Sequence, residues 1–211
     1  MGSFLFKRVL GDGHDSRFDK IRSSPPKFLG AFFAQATWIS LCLMPVLALN
    51  SIPAQLMSKA LPALTGSDIL GLSLFAGGFL FEVIADREKN RWVQDKKNKG
   101  RNEDFLTSGL WSKSRHPNYF GEITLWTGIA VTCWGALSSP VGLRTIGLGG
   151  GAAGKAAAVG LSAVSPLFVT FLLTKVSGIP LSENKYDERY GGREDYQRWK
   201  RETPVLVPKI F

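Results

Sequence analysis

Phe28-Leu-Gly-Ala-Phe-Phe-Ala-Gln-Ala-Thr-Trp-Ile-Ser-Leu-Cys-Leu-Met-Pro-Val-Leu-Ala-Leu49 runs for 22 residues without a charge. A helix of that length crosses the roughly 30 Å hydrocarbon core of a bilayer. Three further stretches follow the same pattern. Ile69 to Ala85 carries one charge, Glu82; Tyr119 to Leu137 carries one, Glu122; Ala156 to Thr174 carries none. The chain therefore reads as all-α, a polytopic membrane helix bundle of about four transmembrane helices, with spans at about 28–49, 69–85, 119–137 and 156–174. The mean hydropathy of +0.03 conceals them, because the linking segments are strongly polar.

Charge gives the expected orientation. Of 26 Lys and Arg, six fall in 1–27, nine in 86–118 and eight in 175–211. All of these lie on one side of a four-span topology, which puts both termini in the cytoplasm by the positive-inside rule. The net charge of +9 then belongs to topology and to anionic lipid headgroups, and nucleic acid is excluded as a partner. Cys42 and Cys133 both fall inside spans. There is no CxxC, and the only histidines are His14 and His116, so neither a disulfide framework nor a metal site is expected.

Residues 1–27 read as a polar cytoplasmic segment, with too short an apolar run for a signal peptide, and 28–211 as a single membrane domain. Pro45 and Pro166 are expected to kink their helices. The run from Leu148 to Gly160 is Gly- and Ala-rich without the spacing of a phosphate-binding loop, so a flexible insertion is expected over about 139–160. In the tail, Ser182 suits the cap of a helix over Glu183–Tyr190 ended by Gly191-Gly192, and a second helix runs from Arg193 to about Glu202 before Pro204. Tyr186, Tyr190, Tyr196 and Trp199 alternate with basic residues, the pattern of interfacial C-terminal helices at headgroup level. The last residues, Val205 to Phe211, are expected to tuck back against the bundle.

The candidate site lies where the third span begins. Pro117 suits the first helical position and His116 the cap. Asn118 and Glu122 share a face, with Trp126 one turn deeper. The free N–H groups of the helix start, beside Arg115, make an anion site. Glu122, an acid inside a lipid-spanning helix, is costly and points to function. Glu82 and Asp86 repeat the four-residue spacing at the end of the second span. That helix is expected to run on through Arg87–Val93, bringing Lys89 and Arg91 to the same mouth. Singly, these residues have plain readings: Tyr119 and Trp126 as interface aromatics, His116 as a cap, Glu122 as an interhelical hydrogen-bond partner. Gathered at one mouth, they read as a cofactor pocket.

Phe105-Leu-Thr-Ser-Gly-Leu-Trp111, Ser114-Arg-His-Pro-Asn-Tyr-Phe-Gly-Glu122, Ser177-Gly-Ile-Pro-Leu-Ser-Glu183, Glu188-Arg-Tyr-Gly191 and Tyr196-Gln-Arg-Trp-Lys-Arg-Glu-Thr-Pro-Val-Leu-Val-Pro208 together resemble the DUF1295 group. That group belongs to the steroid 5-alpha-reductase C-terminal superfamily, with sterol C14 reductases as relatives. The resemblance covers 86–211 most closely and extends upstream through Asp15-Ser-Arg-Phe-Asp19, Phe28 and Gln35-x-x-Trp38.

The resemblance implies an integral membrane reductase, in the endoplasmic reticulum, that takes hydride from NADPH to a carbon–carbon double bond in a sterol or other lipid. It implies that Arg115 and His116 meet the diphosphate and ribose, that Asn118, Tyr119 and Glu122 hold the ribose and nicotinamide side, and that Glu183 completes the pocket. Asp86, Lys89 and Trp111 are further contacts, with Lys89 or Arg91 facing a 2′-phosphate. Tyr119, Glu122 or a bound water would supply the proton. Relatives carry six or more spans, so the resemblance also implies a shortened front end, with the pocket completed by a longer product or by a partner subunit. Two other readings stand beside it. Isoprenylcysteine and phospholipid methyltransferases pair a similar Arg-His-Pro-x-Tyr turn with a late acid and bind S-adenosylmethionine. A truncated membrane protein without activity of its own is the third.

Overall fold

The computed structural model describes residues 21–98, 100 and 103–209, together with Phe6, Leu10 and Asp19. His14, the Asp15–Phe18 part of the upstream motif and the last two residues lie outside the described residues. Eight α-helices form among the described residues, and no strand. They are α1 (Pro25–Asn50), α2 (Ala54–Ala60), α3 (Gly66–Lys97), α4 (Pro117–Leu137), α5 (Pro140–Thr145), α6 (Gly151–Phe171), α7 (Ile179–Tyr190) and α8 (Glu194–Glu202). A 3-10 turn, Gly109–Ser112, precedes α4, and a π turn, Leu172–Val176, joins α6 to α7.

Among the described residues, three helical runs are long and apolar enough to cross a membrane: Pro25–Asn50, Gly66–Lys97 and the run that begins at Gly151. This is an integral membrane protein. The fourth expected span, α4, forms where expected and has 21 residues, about 31 Å of helix. It is not among those three, its apolar run being interrupted by Glu122, Thr124, Thr127 and Thr132. The 32 residues of α3 extend about 48 Å, well beyond a bilayer core, so its charged last third leaves the apolar layer still helical. At its other end Thr65 and Asp68 form a reciprocal capping box, with Thr65 N to Asp68 Oδ2 at 2.9 Å.

The chain divides into two compact units, 1–41 and 42–211. In the first unit, Phe28, Leu29, Phe32, Phe33 and Trp38 are exposed apolar side chains, as lipid-facing residues are. The second unit is held by an antiparallel α3–α4 crossing. Gly71 and Gly78 on α3 face Gly128 and Gly121 on α4 so closely that a Cβ at Gly121 would meet Glu82 N at 2.7 Å and Gly78 O at 2.8 Å. Small residues at such a crossing let backbones touch, the main source of helix association in lipid. Cys42, Val169 and Leu173 pack with Ile123 and Trp126 at mid-bundle, and Ile52, Cys133, Leu137, Leu143 and Ala158 close one end.

Two expectations are corrected. The segment 139–160 is not a flexible insertion. Ser139 caps α5 by accepting from Gly142 N at 3.0 Å, glycines at positive φ (147, 149, 151) turn the chain, and the alanines then start α6, burying Ala158 completely. Ser182 is not a cap. The helix begins four residues earlier, where Pro180 sits in the first turn. In the tail, Tyr190 and Tyr196 are buried against Phe105, with Tyr186 and Trp199 packed around them. The chain after α8 does fold back. Pro204 O accepts from Arg115 N at 2.9 Å, Leu206 O from Ser114 Oγ at 2.8 Å, and Lys209 N donates to Lys113 O at 2.9 Å.

Candidate functional site

The approach to α4 is built by α3. Glu88 accepts from Leu110 N at 2.9 Å and packs on Gly109, whose φ of +61° favours glycine. Trp111 then donates Nε1 to Ala85 O at 2.9 Å and carries Lys89 over its ring at 4.8 Å. Ser114 Oγ accepts from His116 N at 3.1 Å, while the returning tail holds Arg115 N. The loop is thus pinned on both sides before the helix starts, and Arg115 and His116 are both buried.

Glu183 reaches them from α7. Its Oε2 accepts from Arg115 Nη1 at 2.5 Å, and its Oε1 lies 3.0 Å from His116 Nε2. The π turn before α7, closed by Ser177 N to Leu172 O at 2.9 Å, sets the direction in which α7 presents this side chain. Removing one partner of so buried a pair would strand a charge, at a cost of several kcal/mol. The His116 ring stacks on Tyr119, with centroids 5.3 Å apart and planes within 3°.

A second group follows along the α3–α4 crossing. Asp86 lies beside the Asn118 amide and Lys89, and Glu82 and Glu122 are close enough to repel. The two groups meet at the His116–Tyr119 stack and at Lys89. Arg115, His116, Asn118, Tyr119, Glu122, Glu183, Trp111, Lys89 and Asp86 therefore lie around one end of the second unit's bundle. Asp86, Asn118, Tyr119, Glu122 and Arg91 do not line the crevice described next.

That crevice lies between α3, the 105–116 segment and the α7–α8 hairpin. Trp92, Phe105, Trp111, Tyr186 and Trp199 form its aromatic walls, and Lys89, Arg115, His116 and Glu183 its polar ones. Its volume is about 30 Å³, far below the roughly 300–1,000 Å³ of small-molecule sites. A ligand enters only by parting these side chains. Among the described residues, Trp92 Nε1, Arg115 Nε and Trp199 Nε1 are buried donors with no partner, all on residues lining the crevice. Each unmet donor costs about 1–3 kcal/mol, which an acceptor-bearing ligand would recover. Asn118 Oδ1 is likewise buried and unpartnered. The donor set suits an anionic group and the walls suit a planar ring, as a dinucleotide offers. Among the described residues no cluster of ligating side chains could hold a metal ion.

Lys200, Asp187 and Tyr196 were not foreseen. Lys200 Nζ lies 3.2 Å from Glu183 Oε2 and 2.6 Å from both Asp187 oxygens. In sequence Lys200 is one more cation in a basic helix, and only the turn at Gly191-Gly192 brings it back to Glu183.

A family model described as "Protein of unknown function (DUF1295)" matches residues 1–148 and 151–203, a wider reach than the 86–211 core of the resemblance. No curated protein and no solved structure matches.

Proposed function

The chain belongs to the DUF1295 family, and from that membership and the site's chemistry we propose that it is a membrane-embedded, NADPH-dependent reductase of a carbon–carbon double bond in a steroid, sterol or other lipid. The observation that carries the reading is the set of unmet buried donors, Arg115 Nε and Trp92 Nε1 above all, on an aromatic crevice that also holds Lys89. NADPH, when bound, would supply the hydride. Arg115 and His116 would hold its diphosphate and ribose region, Lys89 its 2′-phosphate, and Asn118 and Glu122 the ribose and nicotinamide side. Trp111 fixes Lys89 by the cation–π contact, and Asp86 orients both Lys89 and Asn118. Glu183 keeps Arg115 and His116 in place.

Hydride addition leaves negative charge on the lipid, and one proton must follow to complete the reduction. Glu122 or Tyr119, beside each other at the start of α4, would supply that proton. The lipid substrate enters from the bilayer, and the basic end of the bundle faces the cytoplasm, with the endoplasmic reticulum the expected membrane.

The test is NADPH titration of detergent-purified protein followed by tryptophan fluorescence. Arg115→Ala and Glu122→Gln should each lose most of the binding with membrane insertion retained, Arg115→Ala at a lowered melting midpoint. Binding that survives both substitutions would remove the site from the proposal.

A further inference from the structure

Glu183 faces a conflict. Its Oε2 engages Arg115 Nη1, the group that an anionic ligand would also need. A carboxylate cannot leave that pair for nothing, because the charge it carries is largely sheltered from water. Lys200 resolves the conflict. It reaches the same Oε2 at 3.2 Å, and its own place is fixed by both oxygens of Asp187 at 2.6 Å. Asp187 in turn accepts from Tyr196 Oη at 2.8 Å, and the Tyr196 ring is 1% exposed within the aromatic cluster. A continuous chain therefore runs from that cluster through Asp187 and Lys200 to Glu183, and on to His116 and Arg115.

We propose that Lys200 is a positioning residue for Glu183: it shares the carboxylate with Arg115, so that Arg115 can turn to an incoming anion while Glu183 stays paired. Lys200 does not touch the ligand. Asp187 and Tyr196 set its reach, and α8 is attached to the site through it. The ligand part of this inference rests on the cofactor reading above; the placement of Glu183 does not.

The test uses the full chain in detergent and has two readouts. The first is the ring-nitrogen NMR signal of His116, whose Nε2 lies 3.0 Å from Glu183. The sequence holds only one other histidine, His14, so His14→Gln assigns the signal. Lys200→Met should move the His116 signal, Lys200→Arg should return it, and Lys209→Met, outside the chain of contacts, should leave it in place. The second is NADPH affinity, which should fall about tenfold in Lys200→Met, the equivalent of one charge-assisted hydrogen bond, and recover in Lys200→Arg. An unmoved His116 signal in Lys200→Met, or unchanged affinity in a protein that binds NADPH, overturns the proposal. If the wild-type protein binds no NADPH, the cofactor reading falls, and the His116 signal alone decides the place of Lys200.

Discussion

Gly121→Ala, compared with Gly77→Ala, isolates the contact on which the site depends. Both glycines are interior to long helices, and alanine gains up to about 1 kcal/mol of helix propensity at each. That gain is common to the two variants and cancels. The surroundings differ. A Cβ at Gly77 meets nothing within 4 Å, whereas one at Gly121 comes within 2.7 Å of Glu82 N and 2.8 Å of Gly78 O. To reach an ordinary 3.4 Å contact, α3 and α4 must part there by about 0.7 Å. Both obstructing atoms are helix backbone and cannot swing aside. Overpacking of this kind costs about 1–3 kcal/mol, so Gly121→Ala should melt below Gly77→Ala by about 2–4 °C for each kcal/mol. The same parting pulls Asp86 from Asn118, so NADPH affinity should fall in Gly121→Ala and hold in Gly77→Ala. Thermal unfolding in detergent, read by circular dichroism, decides it. A Gly121→Ala protein that melts with or above Gly77→Ala would refute the argument that this crossing is closed to a methyl group.

Two predictions concern the frame around the site. Asp104 is held below the ordinary carboxylate range, first by the hydrogen bond from Arg193 and then by that from Lys96. A depressed folded-state pKa gives stability that is present above that range and lost as pH falls through it. Asp104→Asn should therefore lower the melting midpoint at neutral pH, with the gap to wild type closing below about pH 4 and shrinking in high salt; a gap that widens in acid would reverse the sign. Trp111→Phe keeps the ring that stacks under Lys89 but removes the buried 2.9 Å bond to Ala85 O. It should cost about 1 kcal/mol in denaturant unfolding, and no loss would mean that this bond does not hold the loop to α3.

The parts of the fold legible in sequence were those that follow from local pattern. Apolar runs with at most one charge mark α1, α3 and α6, and Pro117 marks the start of α4 to the residue. The four-residue spacing puts Glu82 and Asp86 on one face of α3 and Asn118 and Glu122 on one face of α4, and the α3–α4 crossing brings those faces together. What escaped depends on tertiary partners. The run Leu148–Gly160 looks unstructured by composition, yet its alanines are small enough to bury α6 against Leu137 and Cys133, and packing overrides the glycines. The burial of Tyr190 and Tyr196 against Phe105, far away in sequence, has no local signal in the tail. Lys200 is invisible for a related reason: its role exists only once the α7–α8 hairpin closes. The closed crevice has no sequence signal either, because it depends on where Arg115 and Glu183 come to rest.

The most direct test of the central claim is ligand-induced thermal stabilisation of the purified protein, with NADPH and S-adenosylmethionine run in parallel. A ligand that binds only the folded protein stabilises it by about 2.7 kcal/mol at a hundred times its Kd. The reductase account predicts a raised melting midpoint with NADPH, none with S-adenosylmethionine, and loss of the NADPH effect in Arg115→Ala. A midpoint raised by S-adenosylmethionine alone would contradict it and assign the same Arg115–Glu183 turn to methyl transfer.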